Sequence, residues 1–88
     1  MANTKLMVKI AEVQKSPTCN IITSWTRRKT PQGFQYAIDI REFLNTDKYT
    51  GFTKRGVRLT IDDMIGMLPE IADAIEAGPE NADWDESL

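Results

Sequence analysis

The spacing of hydrophobic residues changes at Thr60, and this change constrains the fold more than any other feature of the chain. Before Thr60, apolar and polar residues alternate, as in 6–10, which is the period of a half-buried strand. Turn-forming residues near Pro17, at 30–33 and at 45–51 divide this region into four strands. After Thr60, apolar residues recur every three or four positions, as in a helix. The sequence therefore predicts an α+β fold of order ββββα, with the strands forming an antiparallel sheet.

The predicted helix has clear signals at both ends. Thr60 is a good N-cap, and Asp63 can complete a capping box with it. Pro69 has no backbone N–H, so we expect it to kink or split the helix near 65–68, and Gly78 should end it. Because a thin sheet leaves apolar surface uncovered, the helix stripe is predicted to form a dimer interface. The stripe consists of Ile61, Met64, Ile65, Leu68, Ile71 and Ile75.

Charge is distributed unevenly along the chain. Residues 1–60 hold all eleven Lys and Arg and four acidic residues, a net charge of plus seven. Residues 61–88 hold nine acidic residues and no cation. Such asymmetry indicates an interaction partner for the basic part, the alternative being an ordinary solvated surface. We expect one domain over 1–78 and a flexible acidic tail over 79–88.

Several functional classes are disfavoured by what the sequence lacks. It contains no histidine and one cysteine, Cys19, which cannot form an internal disulfide. No phosphate-binding loop, signal peptide or membrane-spanning run is present. The acidic residues fit a solvated helix face better than a metal site. We therefore expect an intracellular protein that is not an enzyme, with no cofactor, no metal and no membrane partner.

Aromatic residues are interleaved with cations in the basic part, a combination typical of single-stranded nucleic-acid binding. Unpaired bases stack on rings, whereas cations follow the phosphates. The candidate binding residues are Trp25, Arg27, Arg28, Lys29, Arg41, Phe43, Tyr49, Lys54, Arg55 and Arg58. Because successive residues of a strand point to opposite sides, Trp25 and Arg27, two residues apart, are predicted to project from the same side. Small sheets also need aromatic residues inside, so a core position for Trp25, Phe34, Tyr36 or Phe52 stays open.

The segment 38–43, reading IDIREF, is followed by 54–59, reading KRGVRL, and then by TIDDM. This pattern resembles the family of the transcriptional coactivator called positive cofactor four, over about residues 20–77. The resemblance implies a curved four-stranded antiparallel sheet and one helix. It also implies a dimer formed through the helix and a sheet edge, with single-stranded DNA lying across the two sheets.

By position, the resemblance gives Arg41 the role of the family's DNA-contacting arginine. Lys54 and Arg55 match its basic pair before a glycine, and 27–29 match its basic loop. Leu44 stands where the family often has a tryptophan, so one stacking ring is missing. The rings that can replace it are Trp25, Phe43 and Tyr49. Strand one begins almost at the first residue, without the serine-rich leader of eukaryotic members. This favours a bacterial or phage member, acting in the bacterial cytoplasm or nucleoid or in the cytoplasm of a phage-infected host.

The leading functional hypothesis is a homodimer that binds single-stranded DNA largely independently of sequence. It would act in transcription regulation, DNA replication or recombination. One alternative is a protein-interaction adaptor that works through the helix and the acidic tail. The tail, with Trp84 and Leu88, looks like the acidic tips that recruit replication and repair enzymes to bacterial single-strand-binding proteins, although it can also be a merely solubilising end. Another alternative is single-stranded RNA binding, which uses the same stacking physics.

Overall fold

The structure is a computed structural model that describes residues 5–84. Its elements are β1 (Met7–Ser16), β2 (Cys19–Thr30), β3 (Gly33–Asn45), β4 (Thr50–Leu59) and helix α1 (Ile61–Ala77), with a 3₁₀ turn at Pro79–Asn81. The four strands lie in chain order in one sheet, and each is antiparallel to the next. The predicted ββββα fold is therefore confirmed.

Strand pairing sorts the side chains onto two faces of the sheet, because directly paired residues project to the same side. We call one of them the polar face; it carries Lys9, Glu12, Gln14, Asn20, Ile22, Ser24, Thr26, Arg28, Asp39, Arg41, Phe43, Phe52, Gly56 and Arg58. The other, the apolar face, carries Val8, Val13, Ile21, Thr23, Trp25, Arg27, Lys29, Phe34, Tyr36, Ile38, Ile40, Leu44, Val57 and Leu59.

Helix α1 begins as its sequence predicts. The Thr60 hydroxyl accepts a hydrogen bond from the Asp63 N–H at 3.1 Å, and the Asp63 carboxylate accepts one from the Thr60 N–H at 3.3 Å. This confirms the capping box. The helix continues through Pro69 to Ala77, so the predicted split does not occur, because proline removes a single backbone donor there. Gly78, at φ 89°, ends the helix and donates to the Ala74 carbonyl.

The helix covers little of its own sheet. Among the described helix residues only Met64 is buried, whereas Ile65 is 65 % and Ile75 is 75 % exposed. The accessible surface is 7626 Å², against about 5,200 Å² for a compact chain of this mass. The radius of gyration is 16.6 Å, against about 12 Å for a compact domain of this length. The monomer therefore leaves a large apolar area without a covering layer.

The first residues of the tail fold back on the helix end. The Asn81 amide donates to the Ala77 carbonyl at 2.7 Å, and the Trp84 indole donates to the Pro79 carbonyl at 2.8 Å. These side-chain donors satisfy carbonyls that the helix and the turn leave free, and the flexible tail expected over 79–88 stays a prediction. Leu88 and the other residues beyond Trp84 lie outside the described residues.

Within residues 5–84, no helix has both the length and the apolar character that crossing a membrane requires.

Candidate nucleic-acid interface

The ten candidate binding residues do not share one surface of the sheet. Arg28, Arg41, Phe43 and Arg58 lie on the polar face, whereas Trp25, Arg27 and Lys29 lie on the apolar face. Successive residues of a strand point to opposite sides, so the consecutive cations at 27–29 must divide between the two faces. The remaining candidates are Tyr49 in the β3–β4 connection and Lys54 and Arg55 in β4.

A buried carboxylate organises the centre of the polar face. Asp39 is 1 % exposed and accepts two hydrogen bonds from Arg41, from Nε at 3.1 Å and from Nη2 at 3.0 Å. The Arg58 Nε lies 3.8 Å from the same carboxylate. Burial of a carboxylate is tolerated when it is paired in this way. The hydrogen bond to Asp39 raises the pKa of Arg41, which therefore stays charged at any ordinary pH.

Asp39 was not among the candidate residues, although the sequence carried a signal for it. Residues two apart on a strand share a face, so the Asp39 and Arg41 of the IDIRE segment had to be neighbours. The pair means that Arg41 has a structural bond in addition to any bond to a ligand.

Lys54 and Arg55 stand on a bulge in β4. Arg41 pairs with Gly56, and Phe43 pairs with Phe52, so Glu42 alone faces the three residues 53–55. The Arg41 Nη1 donates to the Thr53 carbonyl at 3.2 Å, and the Arg55 N–H donates to the Thr53 hydroxyl at 3.0 Å. These bonds hold the loop of the bulge, and both Lys54 and Arg55 are exposed on it. Bulges of this kind redirect side chains out of the strand alternation.

Gly56 closes the bulge by a close backbone approach. A Cβ at this position would lie 2.5 Å from the Ile40 carbonyl oxygen and 2.9 Å from the Arg41 Cα. Only glycine fits a strand where the neighbouring backbone comes this near. Gly56 therefore helps to hold the bulge on which Lys54 and Arg55 are exposed.

Two aromatic rings lie beside the bulge on the polar face. Phe43 and Phe52 contact each other with ring centres 5.2 Å apart and planes at 82°. The Tyr49 hydroxyl donates to the Phe52 carbonyl, which ties the β3–β4 connection to the strand. Phe43 is half-buried. Its position on the polar face, two residues after Arg41, makes it the candidate ring nearest the ion pair of Arg41 and Asp39.

The β2–β3 hairpin carries cations on both faces. Arg28, on the polar face, donates to the Gln35 side chain at 2.6 Å and 3.1 Å. Arg27, on the apolar face, lies over the Phe34 ring at 4.3 Å and donates to the Lys5 carbonyl at 2.8 Å. Lys29 pairs with Phe34 on that same face. Arg27 and Lys29 thus lie on the face opposite Arg41.

Trp25 lies on the apolar face of the sheet, near the first residue of helix α1. Trp25 is 39 % exposed and lines a cavity of about 420 Å³ together with Val8, Tyr36 and Ile61, the first residue of α1. Trp25 therefore lies on the face opposite Arg41, and both its stacking role and its core alternative stay predictions.

In the part of the chain that the structure describes, no group of three or more acidic or cysteine side chains is placed to hold a metal ion. No protein-family model, curated protein or solved structure was found to match this chain. The functional argument therefore rests on the residues themselves.

Proposed function

We propose that a homodimer of this chain binds single-stranded DNA along the polar face, largely independently of sequence. The observation that carries the proposal is the bulge of β4. It carries the exposed Lys54 and Arg55 directly after Thr53, whose carbonyl accepts from Arg41, and the Phe43 ring lies on the same face as that arginine. Cations for phosphates next to a ring for bases are the elements of a single-strand site.

The basic groups of this surface follow a path across the sheet. Arg28 lies on β2, Arg41 on β3 and Arg58 on β4, with the bulge cations at the end of the path. A flexible single strand can follow such a curved row and turn its bases toward Phe43, whereas a duplex hides the faces of its bases. The resemblance of 38–43 and 54–59 to the positive cofactor four family supports the same proposal.

Dimerisation is part of the proposal because the monomer leaves the helix stripe uncovered. Its surface exceeds that of a compact chain by about 2,400 Å², whereas a standard interface needs about 800 Å² per partner. A second copy provides an equally apolar stripe, and two-fold pairing is the commonest way to cover such a surface. Two copies would also place two polar faces in one particle.

We expect the protein to bind a fluorescent oligothymidine more tightly than a duplex of equal length, by anisotropy at two or more salt concentrations. Log affinity should fall with log salt at about 0.7 per neutralised phosphate, so about five contacts give a slope near minus 3.5. Lys54→Ala should reduce the magnitude of the slope by about 0.7. Equal binding of duplex and single strand would contradict the proposal, and tighter binding of oligouridine would redirect it to RNA.

Because Phe43 and Trp25 lie on opposite faces of the sheet, we expect their substitutions to affect DNA binding differently. Phe43→Ala should weaken single-strand binding by about 1 to 3 kcal/mol with little change in salt slope, because it removes stacking and no charge. Trp25→Ala is the matched comparison and should leave the affinity almost unchanged, since this ring lies on the other face. Anisotropy titrations measure both. A loss for Trp25→Ala as large as that for Phe43→Ala would require DNA to contact both faces.

An adaptor function remains the second candidate because the exposed helix stripe is also a surface for another protein. A gel shift with a short oligonucleotide separates the two, since an adaptor would not retard it. Within our proposal the protein acts where duplexes open, in transcription, replication or recombination, inside a bacterial cell or a phage-infected host. No catalytic step is involved, and the acidic tail contacts proteins of those processes.

A further inference from the structure

A second cavity lies on the polar face, at the end of the sheet that the β1–β2 turn closes. It measures about 510 Å³ and is lined by Glu12, Gln14, Thr18, Asn20, Phe43 and Asn45, with Ile22 at its side. Gln14 pairs with Asn20, which pairs with Phe43, so these residues come from three adjacent strands. As far as residues 5–84 form it, the lining includes no lysine or arginine.

The polar groups of this cavity suit an uncharged ligand with hydrogen-bonding edges. A phosphate would need cations, whereas side-chain amides both donate and accept hydrogen bonds. The cavity volume lies within the range of about 300 to 1,000 Å³ that is usual for small-molecule sites. The Phe43 ring adds an aromatic wall, which is the surface on which a base stacks.

Glu12 supplies an acceptor of fixed position. One carboxylate oxygen accepts from the Lys9 ammonium at 2.8 Å, and the other accepts from the Asn20 amide. The hydrogen bonds from Lys9 and Asn20 lower the pKa of Glu12 and keep it ionised. Each carboxylate oxygen has two lone pairs, so each has one left for a ligand. Lys9 also balances the negative charge that would otherwise repel a DNA strand.

We propose that this cavity binds one unpaired base of the strand and prefers guanine. This inference rests on the proposed function and adds to it a base preference at one position. Two adjacent acceptors of one carboxylate call for two adjacent donors. Guanine offers them as N1–H and the 2-amino group on its Watson–Crick edge, whereas adenine and cytosine offer a single amino group there and thymine a single N–H. Single-stranded bases are commonly read on this edge.

The experiment compares a short oligothymidine with strands that carry one central guanine, adenine, cytosine or hypoxanthine. We expect the single guanine to tighten binding by about fivefold or more. Hypoxanthine, which lacks the 2-amino group, should lose most of that gain. Glu12→Gln should abolish the guanine gain, so that this variant binds the guanine-bearing strand and oligothymidine alike. Glu70→Gln, the same substitution on the helix, is the control and should keep the gain.

The outcomes separate this inference from the proposed function. If oligothymidine binds but the inserted bases make no difference, the base pocket is wrong and the single-strand function stands. If no strand binds at any salt concentration, both are wrong. A Glu12→Gln variant that weakens every strand equally would give Glu12 a purely structural role and overturn the pocket.

Discussion

Ile71→Glu is expected to convert the protein from a dimer into a monomer. Ile71 is half-exposed in the single chain and lies in the middle of the helix stripe. Burying one isoleucine contributes about 1.5 to 3 kcal/mol, and a two-fold interface buries the residue twice. Replacing it with a charged residue should therefore raise the dimer dissociation constant by at least about a hundredfold. Light scattering at micromolar concentration should show twice the chain mass for the unmodified protein and the chain mass for the variant.

Glu70→Ala is the matched control, because Glu70 lies on the opposite side of the helix and should leave the dimer intact. Circular dichroism distinguishes a monomer from an unfolded chain. The single chain already leaves Ile71 half-exposed, so the variant should keep its strand and helix signals. An unmodified protein that is monomeric at micromolar concentration would contradict the dimer and remove the second polar face from the proposed DNA path.

The elements of this fold could be predicted because their signals are local. Thr60 and Asp63 marked the helix start, and alternating residues between turns marked the four strands. Pro69 was expected to kink or split the helix, and it does not split it, because a helix can lose one backbone hydrogen bond without ending. The bond from the Trp84 indole to the Pro79 carbonyl could not be predicted, since it depends on a turn that composition does not reveal.

The candidate site was predicted less well because alternation relates residues within one strand only. It correctly placed Trp25 and Arg27 on the same side, but it could not tell that Arg41 lies on the other. The bulge could not be predicted for a similar reason, since the extra residues opposite Glu42 become apparent only when β3 and β4 are paired. The one indication of the bulge in the sequence was Gly56, a glycine inside a predicted strand.

A bulge held by a close backbone contact should be sensitive to one added methyl group. In Gly56→Ala the new Cβ would meet the Ile40 carbonyl oxygen and the Arg41 backbone, so the strands must separate or the bulge must shift. Overpacking of this kind costs about 1 to 3 kcal/mol of unfolding free energy. The same shift displaces Lys54 and Arg55, so single-strand affinity should fall as well.

Gly66→Ala makes the same chemical change in helix α1, where an added Cβ meets nothing within 4 Å. Alanine is the better helix former by about 1 kcal/mol, so this variant should be as stable as the unmodified protein or more stable. Urea denaturation of both variants measures the difference, and oligothymidine anisotropy in the absence of urea measures the binding. Opposite shifts of the two midpoints, with a binding loss confined to Gly56→Ala, are the expected result. If Gly56→Ala unfolds at the same urea concentration as the unmodified protein and binds DNA as tightly, the close approach at the bulge does not control how the basic pair is presented.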